Sequence, residues 1–479
     1  MRWMVWAIVC GTAWAGGQAQ AGEFAVPTGQ RQLFLDDHGI EKIKNLKRTM
    51  HRPRKLGAVI RSRYIATKEQ SIQTRSGPQW DAKRGVYRIW LISADCYESR
   101  DGLHWVPTAR KPNRAVISAV IDPDDPDPAR RYKGLVSGGG VRKPVVSSDG
   151  LDWKFLDVPP IPSQDESNLS YDEITRTFIA TVKHSGPFGR TVWLSTSKDF
   201  RAWTKPELIF HPDDRDQERA KEVIGWRLAN KSLQPMFQNH PEVYNVQVYN
   251  MGAFRYEGLY VGMPAMFHST GRIPNYPNTD GFHVIQLVCS RDLKTWRRLG
   301  EREIFIGPSP LGAGAFDLTQ ILPPSRPIIR GNELWFYYTG LKYRGNYRFE
   351  GKYPKGKLVR LPGFEGPTGA ICLAVLRRDG FVSLDSGPTT GHLQTQAFQM
   401  PTGRLHVNAS LKPKGQLVVE AIDAKGQVIA TSAAITGDQP SVAVAWKTPG
   451  KPDLAGKRVA LRFRVNRGSL YSYWIAEKK

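Results

Sequence analysis

The sequence predicts an all-β chain, a five-bladed β-propeller followed by a C-terminal antiparallel β-sandwich, and three observations predict it. A Ser-x-Asp phrase with Trp four residues after the Asp recurs along most of the chain. Each copy closes a stretch rich in β-branched and aromatic residues, the composition of strands. After Asp385 the phrase stops and plain period-two alternation takes over.

The copies are Ser99-Arg-Asp-Gly-Leu-His-Trp105, Ser147-Ser-Asp-Gly-Leu-Asp-Trp153, Ser197-Lys-Asp-Phe-Arg-Ala-Trp203 and Ser290-Arg-Asp-Leu-Lys-Thr-Trp296, with a degenerate fifth in Arg377-Arg-Asp-Gly-Phe381. Their Asp residues are 48, 50, 93 and 87 positions apart. A period near 50 is that of a propeller blade, and the two long intervals read as a blade plus an insertion. The strands within the units include 86–92, 131–136, 177–182, 258–263 and 333–338. In each phrase the Asp is expected to accept turn amides while the Trp packs between blades, so these residues are structural. Beyond Asp385, runs at 405–410, 416–422, 441–446 and 459–465 alternate with Gly and Pro turns, a sandwich. The expected division is a leader over 1–21, the propeller over 22–385 and the sandwich over 386–479.

The leader rests on Arg2, the apolar run from Trp3 to Trp14 and the small residues of Ala19-Gln-Ala21, the pattern of a secretory signal. It implies a secreted or periplasmic protein, and no later stretch is apolar enough to span a membrane. The remaining cysteines, Cys96, Cys289 and Cys372, are odd in number and widely spaced, which fits buried thiols and no disulfide framework. The formal charge of +24, from 68 basic and 44 acidic residues, favours an acidic partner. Export argues against nucleic acid and for an anionic, sulfated or uronic, glycan. Residues 42–63 carry nine basic and no acidic side chains, a run read chiefly as solvated surface.

Several segments resemble a known family. They are Leu33-Phe-Leu-Asp-Asp-His-Gly-Ile40, His51-Arg-Pro53, the Asp-Gly-x-x-Trp phrases, Val248-Tyr-Asn-Met-Gly-Ala-Phe-Arg-Tyr-Glu-Gly258 and Arg378-Asp-Gly-Phe-Val-Ser-Leu384. Together they are similar to exported propeller proteins related to the N-terminal domain of glycoside hydrolase family 32. The resemblance covers nearly all of the chain after the leader and implies a sugar-active propeller, a glycoside hydrolase of the family 32 and 43 type. The phrase is also close to the Asp box of sialidases but one residue shorter, which leaves sialidase-like exoglycosidase chemistry as a minor alternative.

Glycosidic cleavage needs two carboxyl groups across the scissile bond, one to protonate the leaving oxygen and one to attack or to activate water. In such propellers these acids stand where the innermost strands begin. By order in the chain, the resemblance implies that one of Asp36 and Asp37 is the nucleophile or base and that Asp165 is the charge-stabilising acid. Glu166 beside it is expected to contact substrate. The fourth unit departs from the family, because Asn245-Val-Gln-Val-Tyr-Asn250 offers amides and a phenol where a glutamic acid is expected. Gln247, Tyr249 and Asn250 are therefore binding candidates, and the missing acid is sought among Glu242, Asp280, which is also a binding candidate, and Asp317, which is read as catalytic. The loss also admits a noncatalytic glycan-binding propeller. Two insertions, 204–244 with Trp226 and 341–360 with Arg344 and Tyr347, are expected at the pocket rim, where rings stack on sugars and cations hold anions. No cofactor is expected. Asp122-Pro-Asp-Asp-Pro-Asp127 offers oxygens for a structural calcium but lacks EF-hand spacing and reads as a rigid loop. The sequence does not decide the oligomeric state.

Overall fold

Five four-stranded antiparallel units follow one another around an axis in this computed structural model, which describes residues 24–62, 72–274, 278–312, 314–344, 348–350, 357–359, 367–447 and 453–477. The leader and Tyr347 lie outside the described residues. Listed from the axis outward, blade one is Gln79–Asp81, Val86–Leu91, Asp95–Ser99 and Val106–Pro107. Blade two runs Val116–Ile121, Tyr132–Ser137, Val141–Ser147 and Lys154–Phe155. Blade three is Ser167–Asp172, Thr177–Gly186, Gly189–Ser197 and Glu207–Phe210. Blade four is Asn245–Tyr256, Leu259–Arg272, Val288–Ser290 and Arg297–Arg298. Blade five takes Gln320–Leu322, Glu333–Leu341 and Gly369–Arg377 from late in the chain and its outermost strand, Arg54–Arg61, from the beginning. The ring is thus closed by pairing Arg54–Arg61 with Gly369–Arg377.

The repeated phrase does what its residues predict. Asp101, Asp149, Asp199 and Asp292 each accept two backbone amides of their own turn at 2.7–2.9 Å and a hydroxyl from the preceding Ser. Trp153 of blade two packs edge-on against Trp90 of blade one, and Trp105 of blade one against Tyr337 of blade five. The degenerate fifth copy has another job. Buried Asp379 accepts from Arg31 and Tyr256 at 2.6 Å and from Ser472 at 2.5 Å, joining blade four to the last long strand.

The sandwich sheet is built on two long strands, Arg404–Ile422 and Arg458–Ala476, around a core that includes Phe398, Val419 and Phe463. It also takes in Gln32–Leu33, Ile40–Lys44, Lys47–Met50 and Val382–Ser386. Segments before the first blade therefore share the sheet of residues 386–479. The insertion at 204–244 forms one helix, Asp214–Ala229, started by a capping box between Asp213 and Asp216. Among the described residues no helix is long and apolar enough to cross a membrane. Cys96, Cys289 and Cys372 are buried free thiols, and burial pushes the first two up to about 12. The acidic run at 122–127 is knitted to the buried ammonium of Lys133, which pairs with Asp122 at 2.9 Å and Asp125 at 2.7 Å.

Candidate functional site

At the axis the five inner strands are laced by buried polar groups. Asn168 donates to the carbonyls of Arg75 and Pro323, Asn250 donates to Asn168, and Ser118 bonds Ser325 at 3.0 Å. The packing is close enough to demand glycine at two points. A Cβ on Gly252 would stand 2.0 Å from the carbonyl oxygen of Pro324, and one on Gly77 2.3 Å from that of Arg326. This lacing is a floor, and the side chains that precede it along the inner strands stand on it.

Above the floor lies a cluster rich in cations. The guanidinium of Arg75 forks onto Glu166 with two 2.6 Å hydrogen bonds, and both side chains are buried. Burial disfavours charge on Arg75, but Glu166 outweighs it and raises its pKa. Asp165, next in the chain, has a side chain 67 % exposed and pairs with the buried ammonium of Lys183. Burial lifts the Asp165 carboxyl, yet the charge and hydrogen bond of Lys183 prevail and hold it below the usual range. Arg142 is spent on Ser167 and the Gln164 carbonyl. Arg190 donates to Gln247 at 2.7 Å and to Asn278 at 2.9 Å.

Tyr249 is half-buried in this cluster. Lys183 stands 4.1 Å from its ring centroid, Arg344 5.7 Å and Arg190 6.0 Å. Burial, with Glu166 and Asp165 nearby, raises the phenol, which stays protonated at neutral pH. Below it the imidazole of His283 stacks on Phe267 and meets Tyr249 edge-on, both at 4.8 Å. Burial, then the charges of Arg344 and Arg190, keeps His283 neutral.

The structure brings together Asp165, Glu166, Gln247, Tyr249, Asn250 and Arg344 of the expected residues. It places others elsewhere. Asp36 and Asp37 follow a strand of the sandwich sheet, and each is consumed at the outer edge of blade four, Asp36 by a bidentate pair with Arg291 and Asp37 by Arg48 and Arg297. Their place in the funnel is corrected accordingly, because the segment that carries them opens the sandwich instead of an inner strand. Asp317 lies against its own blade, accepting from Lys55 at 2.7 Å and Tyr338 at 2.8 Å. Asp280 caps the insertion, accepting the amides of Phe237, Gln238 and Gly281. Trp226 sits on the helix, exposed, in a separate groove of about 560 Å³ shared with Arg52, Lys55 and Arg219. Sequence reasoning missed Arg75, Arg142, Lys183, Arg190 and His283. Their one local signal is a charged or polar residue set inside an otherwise apolar strand, as Lys183 is after Thr177-Phe-Ile-Ala-Thr-Val182.

No family model matches the chain, and no curated protein matches it. Solved structures do. An N-acetylgalactosamine deacetylase from F. plautii, in complex with blood group B trisaccharide, is 14 % identical over 71 % of this chain and 97 % of its own, with a TM-score of 0.40. A family 32 β-fructofuranosidase of Bombyx mori is 10 % identical over 89 % and 94 %, with a TM-score of 0.38. A family 43 arabinoxylan arabinofuranohydrolase of Bacillus subtilis, in complex with cellotetraose, is 11 % identical over 88 % and 99 %, with a TM-score of 0.34. The chain is a five-bladed β-propeller with an appended β-sandwich, and propellers of glycoside hydrolase families 32 and 43 are among its structural neighbours.

Proposed function

We propose that the protein is an exported glycoside hydrolase that draws an acidic poly- or oligosaccharide into the axial funnel. The observation that carries this reading is the cluster itself, in which Arg75, Arg142, Lys183, Arg190 and Arg344 outnumber Asp165 and Glu166 around one half-buried ring. A surplus of guanidinium groups selects a sugar that carries negative charge. Asp165, ionised by Lys183 and exposed, is the carboxylate suited to stabilise positive charge at an anomeric carbon or to activate water. Tyr249 supplies an aromatic face for a sugar ring.

A second reading is favoured by a specific observation. Protonation of a leaving oxygen calls for a carboxylic acid with a raised pKa. Asp165 is held below its usual range, Glu166 is locked to Arg75, and Gln247 stands where the resemblance calls for an acid, while Asp280, the one candidate whose carboxyl burial raises, spends its oxygens on the amides of Phe237, Gln238 and Gly281. A propeller that binds acidic glycan without cleaving it has this composition.

A release assay separates the two. The full chain is incubated with sulfated, uronic and neutral oligosaccharides beside Asp165→Asn. Sugar released by the native protein and lost in the variant supports hydrolysis. Absence of release, with an anionic glycan bound in a salt-dependent way, replaces hydrolysis with binding. Absence of both refutes the glycan reading.

A further inference from the structure

The cations of the funnel divide into two kinds. Arg75, Lys183 and Arg142 are spent on Glu166, on Asp165, and on Ser167 with backbone carbonyls respectively. Neither Arg190 nor Arg344 makes an ion pair with a carboxylate among the described residues, and Asp165 acts on Arg190 and Asp280 on Arg344 only through space. Arg190 is steered by two neutral amide oxygens, Gln247 Oε1 and Asn278 Oδ1. Arg344 makes no hydrogen bond among the described residues, and its buried Nε is unpaired. Both guanidinium groups nonetheless ride on the same two rings. Arg190 lies 5.6 Å from the centroid of Phe267 and 6.0 Å from that of Tyr249, and Arg344 lies 4.7 Å and 5.7 Å from them.

Two guanidinium groups held this close without an ion-pair partner repel each other, and burial and Arg344 disfavour charge on Arg190 by more than Tyr249 and Asp165 favour it. Such an arrangement is completed by an anion that bridges the two. A second observation points the same way. His283, fully buried and wedged between Phe267 and Tyr249, leaves both ring nitrogens without a partner. It sits beneath the pair as a neutral polar group that adds no repulsion.

We infer that Arg190 and Arg344 form a receptor for a single oxyanion substituent of a sugar, a carboxylate or a sulfate ester, held between the two guanidinium groups beside Tyr249. The inference rests on the glycan reading above and deepens it by placing the acidic group. Gln247 is then a positioning residue, which accounts for an amide in place of the family's acid: its oxygen aims Arg190 where a carboxylate would neutralise it.

The test is calorimetric titration of the full chain, at fixed ionic strength, with methyl glucuronide and methyl glucoside, and with galactose 6-sulfate and galactose. At least one anionic sugar is expected to bind ten-fold or more tightly than its neutral counterpart, and which one does identifies the source of the oxyanion. Arg344→Gln, which breaks no described hydrogen bond, and Arg190→Gln are each expected to weaken that sugar roughly ten-fold or more while leaving the neutral sugar unchanged. Gln247→Glu is expected to do the same by neutralising Arg190. If Arg190→Gln unfolds, Arg344→Gln decides. Anionic sugars that bind no more tightly than neutral ones, or equally to wild type and Arg344→Gln, overturn the receptor. Release from neutral glycans with no anionic preference overturns it while leaving hydrolysis standing, whereas anionic monosaccharide binding without action on any glycan upholds it while the hydrolase reading falls.

Discussion

Replacing Glu166 by Gln is expected to destabilise the propeller by about 3 kcal/mol, because it leaves the buried charge of Arg75 without its counter-ion. The pair is bidentate at 2.6 Å, its side chains are 2 % and 8 % exposed, and it ties blade one to blade three at the axis. Removing one partner of such a pair costs about 3–5 kcal/mol. The figure falls at the low end here because Gln keeps one acceptor, and Arg75 retains the Thr74 carbonyl and Gln73. About 3 kcal/mol is roughly a hundred-fold in the folding equilibrium. The assay is urea denaturation followed by tryptophan fluorescence on Glu166→Gln, beside a double-mutant cycle of Arg75→Met, Glu166→Leu and Arg75→Met/Glu166→Leu. The double variant is expected to recover most of the loss, since two apolar side chains leave no orphan charge. A single-variant cost below about 1 kcal/mol, or a double-variant cost equal to the sum of the singles, refutes the reasoning: the pair would then be solvated or uncoupled.

Three further outcomes follow from other parts of the fold. His268 and His283 are buried neutral, the former held down to about 4, so unfolding takes up protons; stability is full above pH ~6.5 and falls as pH drops toward about 4, by roughly 1.4 kcal/mol per unit for each. A urea midpoint that stays flat from pH 7 to 5 contradicts this. Gly252→Ala is expected to cost roughly 3 kcal/mol or to fail to fold, because the new methyl meets the Pro324 carbonyl in the segment that follows Gln320–Leu322, and a normal thermal midpoint would show that this segment moves aside freely. Asp149→Ala, which frees the turn amides of Leu151 and Asp152, is expected to lose about 1–2 kcal/mol in the same denaturation assay.

The ring and its blades were legible because each turn is stabilised within a few residues of itself. Ser147, Asp149 and the amides of Leu151 and Asp152 write their contacts into one short phrase, and the phrase repeats at blade length. The funnel is different in kind. Arg75 meets Glu166 91 positions away, and Arg190 meets Gln247 57 positions away, and no local pattern encodes which strand faces which across the axis. Asp165 and Glu166 were found because they sit at the start of an inner strand. Asp36 and Asp37 were misplaced because Gln32–Leu33, although it precedes the first blade, pairs with Ser472 and Tyr473 of the final strand, a bond across almost the whole chain.

That long pairing and the closing strand Arg54–Arg61 bear on the order in which the molecule can assemble. The partners of both segments come far later in the chain: Arg54–Arg61 waits for Gly369–Arg377, and Gln32–Leu33 for Tyr473. Blades one to four can condense from local hairpins as they emerge, but blade five and the sandwich become complete only when segments far apart in the chain are at hand. A mechanical load on the amino end should therefore unzip the circumference and the sandwich together, before it reaches any of the four blades between them.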